Sequence, residues 1–157
     1  MEDYDSTQRF SDAARRYCEF IEMAATMPVG TRIQHARRHL ADLVRAACDL
    51  PPGDAKGPDT DDNPPAPANW PGFGDVDVYW EVFDPYEDEP RVAGSLSDDL
   101  LDIYVDLRRG LGLYDAGHAG AAAWEWRLHF DQHWGHHAVD ALRALHRACG
   151  RVGVGGA

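Results

Sequence analysis

Apolar residues recur at intervals of three and four in four separate stretches of this chain, which is the spacing that lines one face of an α-helix. In the longest stretch, for example, Trp124, Leu128 and Leu142 share such a face. The pattern predicts main helices over residues 5–26, 31–50, 97–113 and 119–149. Helices of this length can enclose one core, so we expect the whole chain, residues 1–157, to form a single helical domain.

Residues that favour the start of a helix occur at the first position of two of these stretches. Thr31 and Gln34 form a capping-box pattern at the start of the second helix, and Ser97 is a suitable N-cap for the third. The short connection Met27–Gly30 separates the first helix from the second, and a glycine-containing turn separates the third from the fourth. Helices joined so closely are expected to pack antiparallel.

The stretch between the second and third helices lacks this periodicity. Seven of the ten prolines fall in residues 51–71, which predicts a flexible linker. Residues 75–83 alternate like a strand but also fit one helical face; a lone strand would have no partner, so we expect a short helix or an irregular segment. The glycine-rich residues 151–157 should form a disordered tail. The predicted fold class is all-α, an up-down bundle of about four helices with a long, Pro-rich, acidic linker between the second and third.

Acidic residues are concentrated in the middle of the chain. Residues 49–106 contain 16 of the 27 acids and only Lys56 and Arg91 as bases, a charge of −14, whereas the rest carries +2 and the whole chain −12. This field argues against nucleic acid or an anionic membrane as a partner, because both require basic residues that neutralise phosphate. It admits a basic protein partner or metal cations. With no apolar run of membrane-spanning length and no signal-peptide pattern, we expect a cytoplasmic protein.

Five of the eight histidines lie in the longest predicted helix, and the four that are close together, His129, His133, His136 and His137, suggest a metal site. His129 and His133 are four residues apart, so both can bind one ion from the same helical face. The third helix, running antiparallel beside it, offers Asp99 and Asp102 to complete the ligand set, with Asp102 expected near His129 and Asp99 near His133. The alternative is that these histidines form a solvated polar face that binds nothing.

A second set of polar residues interrupts the apolar face of the same helix. Arg127 and Asp131 are four residues apart and can pair with each other, and Asp106 of the third helix is within reach of Arg127. Buried charges persist only when they are paired and hydrogen-bonded. We therefore expect these three residues and His137 to form a polar network in the core rather than a catalytic site.

Two long motifs and three short ones carry a resemblance to a known family. They are Ser95–Leu107, His133–His146, Trp124–Trp126, Tyr79-Trp80 and Val82–Pro85. Together they resemble DUF5063, a bacterial domain of unknown function, over most of residues 10–149. The resemblance implies an all-helical up-down bundle in a bacterial cytoplasmic setting. It supplies no activity, no substrate and no catalytic residue.

The function suggested by these features is binding rather than catalysis. No phosphate-binding loop, nucleophile elbow or dinucleotide-binding glycine pattern occurs in the sequence. We expect a non-enzymatic protein-binding module, regulatory or immunity-type, that needs no cofactor and presents Tyr79, Trp80 and Tyr86 to its partner. The alternative is a metal-binding bundle with hydrolase-type activity, which would use a divalent metal held by His and Asp ligands between the third and fourth helices.

Overall fold

The computed structural model describes residues 1–59 and 63–152, most of which are helical. The helices are α1 (Glu2–Met23), α2 (Val29–Cys48), α3 (Leu96–Asp115), α4 (Ala119–His129) and α5 (Gly135–Val152). Two strands, β1 (Val78–Glu81) and β2 (Val92–Ser95), precede α3, and short 3-10 turns occupy Ala24–Thr26 and Gly74–Val76. In the described part of the chain, no helix combines the length and apolar character that crossing a membrane requires.

The core lies where α1 packs against α2 and α3, and where α5 packs against α2 and α3. Phe10 of α1 contacts both Trp126 and Trp134, with ring centroids 4.9 Å and 6.1 Å away. All three rings are buried. Burial of apolar surface stabilises a fold by about 25 cal/mol per Å², so these large rings hold α1 firmly against both halves of the last long helix.

The segment that the sequence predicted as a short helix or irregular chain contains a β-strand, so that prediction is wrong. Val78–Glu81 pairs with Val92–Ser95 in antiparallel register, with Tyr79 opposite Gly94 and Glu81 opposite Val92. The fold is therefore mostly helical with a two-stranded sheet, not strictly all-α. The partner strand was missed because it is only four residues long and contains a glycine, which weakens its strand pattern.

The helix predicted over residues 119–149 is interrupted in the structure. A π-helical segment, Phe130–Trp134, joins α4 to α5. Such a segment inserts an extra residue into a helical turn and is frequent at functional sites. α5 continues to Val152, so the first two residues of the predicted disordered tail are helical, and residues 153–157 lie outside the described residues.

The residues predicted as a flexible linker, 51–71, contact the helices at several points. Residues 60–62 lie outside the described residues, and the remainder contains no helix or strand. The Asp54 amide donates a hydrogen bond to the Gly120 carbonyl at 2.9 Å. This contact joins the start of the segment to the first turn of α4.

The start of α3 is capped by a serine other than the predicted one. Ser95 is the N-cap, and its Oγ accepts a hydrogen bond from the Asp98 amide at 3.2 Å. Ser97 Oγ instead accepts a hydrogen bond from Trp70 Nε1 at 2.8 Å. Ser97 therefore ties the Pro-rich segment to α3, and the helix begins at Leu96 rather than after residue 97.

Two glycines of α3 give a direct test of the packing between α3 and α4. A Cβ on Gly110 would lie 2.0 Å from Trp126 Nε1, whereas a Cβ on Gly112 would meet nothing within 4 Å. We expect Gly110→Ala to lower the free energy of unfolding by about 3 kcal/mol through overpacking. Gly112→Ala should raise it by up to about 1 kcal/mol, since alanine favours the helix. Urea denaturation measures both, and equal effects would contradict the close contact.

Candidate metal site

Buried carboxylates of α3 face a row of histidines on the helix that follows. Asp99 and Asp106 are only 5% and 7% exposed, although a buried carboxylate is costly unless it is paired. Asp102 lies between them on the same side of α3 because the three are spaced by three and four residues. We call the whole group the His–Asp cluster, which consists of Tyr79, Glu81, Asp99, Asp102, Asp106, Glu125, His129, His133, His137 and Asp140.

The first buried carboxylate connects a histidine to the β-hairpin. His137 Nδ1 lies 2.8 Å from Asp99 Oδ1, and the Tyr79 hydroxyl donates to Asp99 Oδ2 at 2.5 Å. The hydrogen bond to Asp99 is the main cause that raises the pKa of His137 above its usual value. Burial and the same carboxylate raise the pKa of Tyr79, so its hydroxyl stays protonated as a donor. The pairing holds the His137 ring in a fixed orientation.

The second buried carboxylate is shared between a histidine and an arginine. His133 Nδ1 lies 2.8 Å from Asp106 Oδ2, and Arg109 Nη1 lies 3.4 Å from Asp106 Oδ1. Glu125 extends this chain, because its Oε1 is 3.5 Å from Arg109 Nη1 and 3.1 Å from His129 Nε2. Every histidine in the row is therefore next to a carboxylate.

Two overlapping groups have the geometry to hold a metal ion. Asp102, His133 and His137 each offer a ligand atom within 4.8 Å of the others, and so do Asp106, His129 and His133. In the first group the Nδ1 atoms of both rings are bonded to Asp99 and Asp106, which leaves both Nε2 atoms for a ligand. Asp102 makes no hydrogen bond within the described residues, and burial raises its pKa while the two histidines oppose that rise.

Comparison with known proteins assigns the chain to a family. The family described as "Domain of unknown function (DUF5063)" matches residues 71–149, about half of the chain. The chain belongs to the DUF5063 family. The matched residues include the hairpin and the whole His–Asp cluster.

A solved structure supports the fold of this DUF5063 protein. The crystal structure of protein BF1032 from Bacteroides fragilis superposes with a TM-score of 0.74 at 22% sequence identity, and the match covers 91% of each chain. At that identity the likeness concerns the fold alone. No functionally curated protein matches the sequence.

The predicted metal ligands of the DUF5063 chain are brought together only in part. Asp102 and His133 fall in one group, while His129 falls in the other. Asp99 contacts His137, not His133 as expected, so the predicted register between the helices is wrong by one turn. Part of this difference arises close to the α3–α4 turn, where Arg109 rather than Asp106 lies beside Glu125, and the extra residue of the π-helical segment adds to it.

The predicted core network of four polar residues does not form. Arg127 Nε does bind Asp131 Oδ2 at 3.1 Å, but their side chains are 40% and 54% exposed, so the prediction that they lie in the core is wrong. Asp106 binds His133 instead, and His137 binds Asp99. The apolar face of this helix is filled by buried rings, among them Trp126 and Trp134, which leaves the Arg127–Asp131 pair at the surface.

The predicted interface residues have different positions. Tyr79 points into the His–Asp cluster, which the alternation of side chains along β1 explains. Trp80 is 57% exposed with the Arg91 guanidinium 4.4 Å from its ring centroid, and Tyr86 is 94% exposed. Phe83, 72% exposed, extends this surface and was not in the predicted set.

Several members of the His–Asp cluster were not predicted as ligands or as their partners. His137 and Asp106 were assigned to a core network, and Glu81 and Asp140 were given no role. The histidine spacing of four continues from His133 to His137, so that signal was present in the sequence. Glu81 could be found only by recognising β1, since it lies two residues after Tyr79 on the same strand face.

Asp140 provides a test of charge crowding in the cluster. Burial, followed by the charge and hydrogen bond of Glu81, raises the pKa of Asp140 from 3.8 to about 6. A folded-state pKa above the unfolded value gives stability that is present below pH 3.8 and lost as the pH rises through about 6. Asp99 adds to the rise and His137 opposes it.

We therefore expect Asp140→Asn to raise the free energy of unfolding at pH 7 by about 1 kcal/mol, a value discounted for the partial exposure of Asp140. Well below pH 3.8 the difference should vanish, since aspartic acid is then neutral in both the folded and the unfolded chain, as asparagine is. Urea denaturation across this pH range measures it. Asp42→Asn, at an exposed carboxylate on α2, is the control and should show no such pH-dependent gain. A constant difference at all pH values would contradict the crowding.

Proposed function

We propose that this protein binds a divalent transition metal ion through Asp102, His133 and His137. The observation that carries the proposal is the pair of carboxylate–histidine hydrogen bonds, each 2.8 Å long, made by Asp99 and Asp106. Metal-binding histidines usually donate their second ring N–H to a carboxylate, which fixes the tautomer and raises the basicity of the free nitrogen. Two adjacent histidines held in this way, beside an unpaired carboxylate, form a ligand set before any ion arrives.

The second group, Asp106, His129 and His133, is less suited to a metal. Binding there would use Asp106, which already contacts Arg109, and His129 Nε2, which already contacts Glu125 at 3.1 Å. Asp102 has no such partner to lose. The first group therefore supports metal binding with fewer existing contacts broken.

The proposed ligand set belongs to a chemically active class. Two histidines and one carboxylate are ligands for zinc in hydrolases and for iron(II) in oxygenases, and three protein ligands leave a position for water. Asp102 is exposed at the surface and the His133 side chain is 43% exposed, so a substrate can approach. A divalent ion lowers the pKa of its bound water towards about 7, which makes hydrolase-type chemistry the activity class we propose.

Metal titration of the untagged, EDTA-treated protein tests the proposal. We expect about one equivalent of zinc to bind, with smaller responses to manganese and cobalt, as measured by calorimetry and elemental analysis. His133→Ala, His137→Ala and Asp102→Asn should each weaken binding by at least about a hundredfold. Asp99→Asn should weaken it by about ten- to a hundredfold, because Asp99 only orients His137.

The matched control for these variants is His136→Ala. His136 is on the same helix, with its ring 4.3 Å from that of His137, but it belongs to neither ligand group. Its variant should bind zinc as the wild type does. The proposal would be overturned by substoichiometric zinc together with an unchanged melting temperature on zinc addition, or by equal loss in the control.

A second function is favoured by the outer surface of the hairpin. Val78, Trp80, Phe83 and Tyr86 are all more than half exposed, in a stretch that also contains Asp84, Glu87, Asp88 and Glu89. Exposed aromatic residues among like charges are typical of a docking surface for an oppositely charged partner. We propose that a basic protein docks there.

Affinity capture from the host lysate at low and high salt tests this second function. We expect one basic protein in stoichiometric amount at low salt, with much less at high salt. The double variant Trp80→Ala, Phe83→Ala should abolish the capture. Val29→Ala, which removes an apolar side chain that is 40% exposed on α2, should leave it intact. Capture that survives the double variant, or no stoichiometric basic protein at all, would contradict the proposal.

A further inference from the structure

A groove between α2 and α5 has a chemical character unlike the rest of this acidic protein. Its volume is about 610 Å³, within the range of small-molecule sites. Arg143 and His146 lie six and nine residues after His137, which places them on the side of α5 away from the His–Asp cluster. The groove is lined by Gln34, Arg37, Arg38, Ala41, Val139, Leu142, Arg143 and His146.

The lining contains three arginines and a histidine but no acidic residue. Neither Arg37, Arg38 nor Arg143 forms an ion pair within the described residues. The whole chain contains 27 acidic and 15 basic residues, yet no acidic residue lines this groove. Three arginines from two helices thus line one groove without an acidic residue in its lining.

A neighbouring groove shows what a neutralised surface looks like in the same protein. That groove lies between α1 and α2, and its lining contains acidic as well as basic residues. The charged residues lining that groove are Arg9, Arg16, Arg45, Asp12, Asp42 and Asp49. Charges there balance, three against three. The absence of acids between α2 and α5 is therefore a local property of that groove and not of helix surfaces in this protein generally.

Three apolar residues also line the groove. Ala41, Val139 and Leu142 lie among the arginines, and Val139 is 52% exposed. An exposed valine beside guanidinium groups offers a ligand both an apolar contact and a charged one. Arginine binds phosphate and carboxylate in a bidentate manner through its planar fork of N–H donors.

We propose that this groove binds a small organic phosphate, with the phosphate held by Arg38 and Arg143 and its apolar body resting on Val139 and Leu142. The inference does not depend on the proposed metal site. The ligand class rests on three arginines without an ion pair, on apolar residues in the same lining and on a volume that suits a small molecule.

Calorimetry with two probes, phenyl phosphate and inorganic phosphate, tests this proposal on EDTA-treated protein in low-salt buffer. We expect phenyl phosphate to bind about tenfold more tightly, since its ring covers apolar surface that inorganic phosphate leaves exposed. Arg38→Ala and Arg143→Ala should each weaken both probes by about tenfold. Val139→Ser should weaken only phenyl phosphate.

The control is Arg147→Ala, an exposed arginine of α5 that does not line the groove. It should leave both affinities unchanged, and circular dichroism should show every variant folded, as expected for exposed side chains. Equal affinity for the two probes, equal weakening by Arg147→Ala, or no binding by the wild type would overturn the proposal. Adding zinc to the EDTA-treated protein should leave both affinities unchanged, which separates this groove from the metal site.

Discussion

Asp99 and Asp106 are buried in the face of α3 that packs against the last long helix, and each has a histidine nitrogen 2.8 Å away. A carboxylate left there without a partner would cost on the order of 3–5 kcal/mol. These two pairs therefore fix how α3 and α5 sit together and which way the His133 and His137 rings face. The hairpin depends on the same interaction, because Asp99 also accepts the Tyr79 hydroxyl. The need to pair these buried carboxylates thus positions two helices and a strand.

The π-helical segment lets one long helix contribute both to the hydrophobic core and to the His–Asp cluster. Trp126 and Trp134 are eight residues apart, as are His129 and His137, and both intervals span Phe130–Trp134. In a regular α-helix, two residues that are eight positions apart point in directions that differ by about 80° around the helix axis. The extra residue in the π turn removes most of this offset, so both tryptophans stay in the core while the histidines form one row. Gly135 follows directly, where a Cβ would lie 2.3 Å from the Phe130 carbonyl oxygen.

The helices could be predicted from sequence because their apolar spacing is a local property. The same spacing placed Asp102 and His133 on facing sides of two helices, although Asp102 was expected near His129 and lies near His133. The rest depended on information that is not local. Neither the geometry of the α3–α4 turn nor the π segment has an apolar signature, so the register that pairs Asp99 with His137 could not be predicted. The apolar pattern around Tyr79 fits both a strand and a helical face, and only pairing with Val92–Ser95 decides for the strand. Arg127 was predicted to be buried because it interrupts an apolar pattern in the sequence, but in the structure the buried positions are filled by Trp126 and Trp134 instead.

The two faces of β1 have a thermodynamic consequence for the molecule. Trp80 points to solvent and Tyr79 to Asp99, and they are adjacent on a strand of four residues. A ligand that shifts the strand from outside therefore also changes the support of His137. If the proposed metal ion binds, such a ligand and the ion must change each other's affinity by the same factor. The hairpin therefore connects an exposed surface, at Trp80, to the buried Asp99–His137 pair.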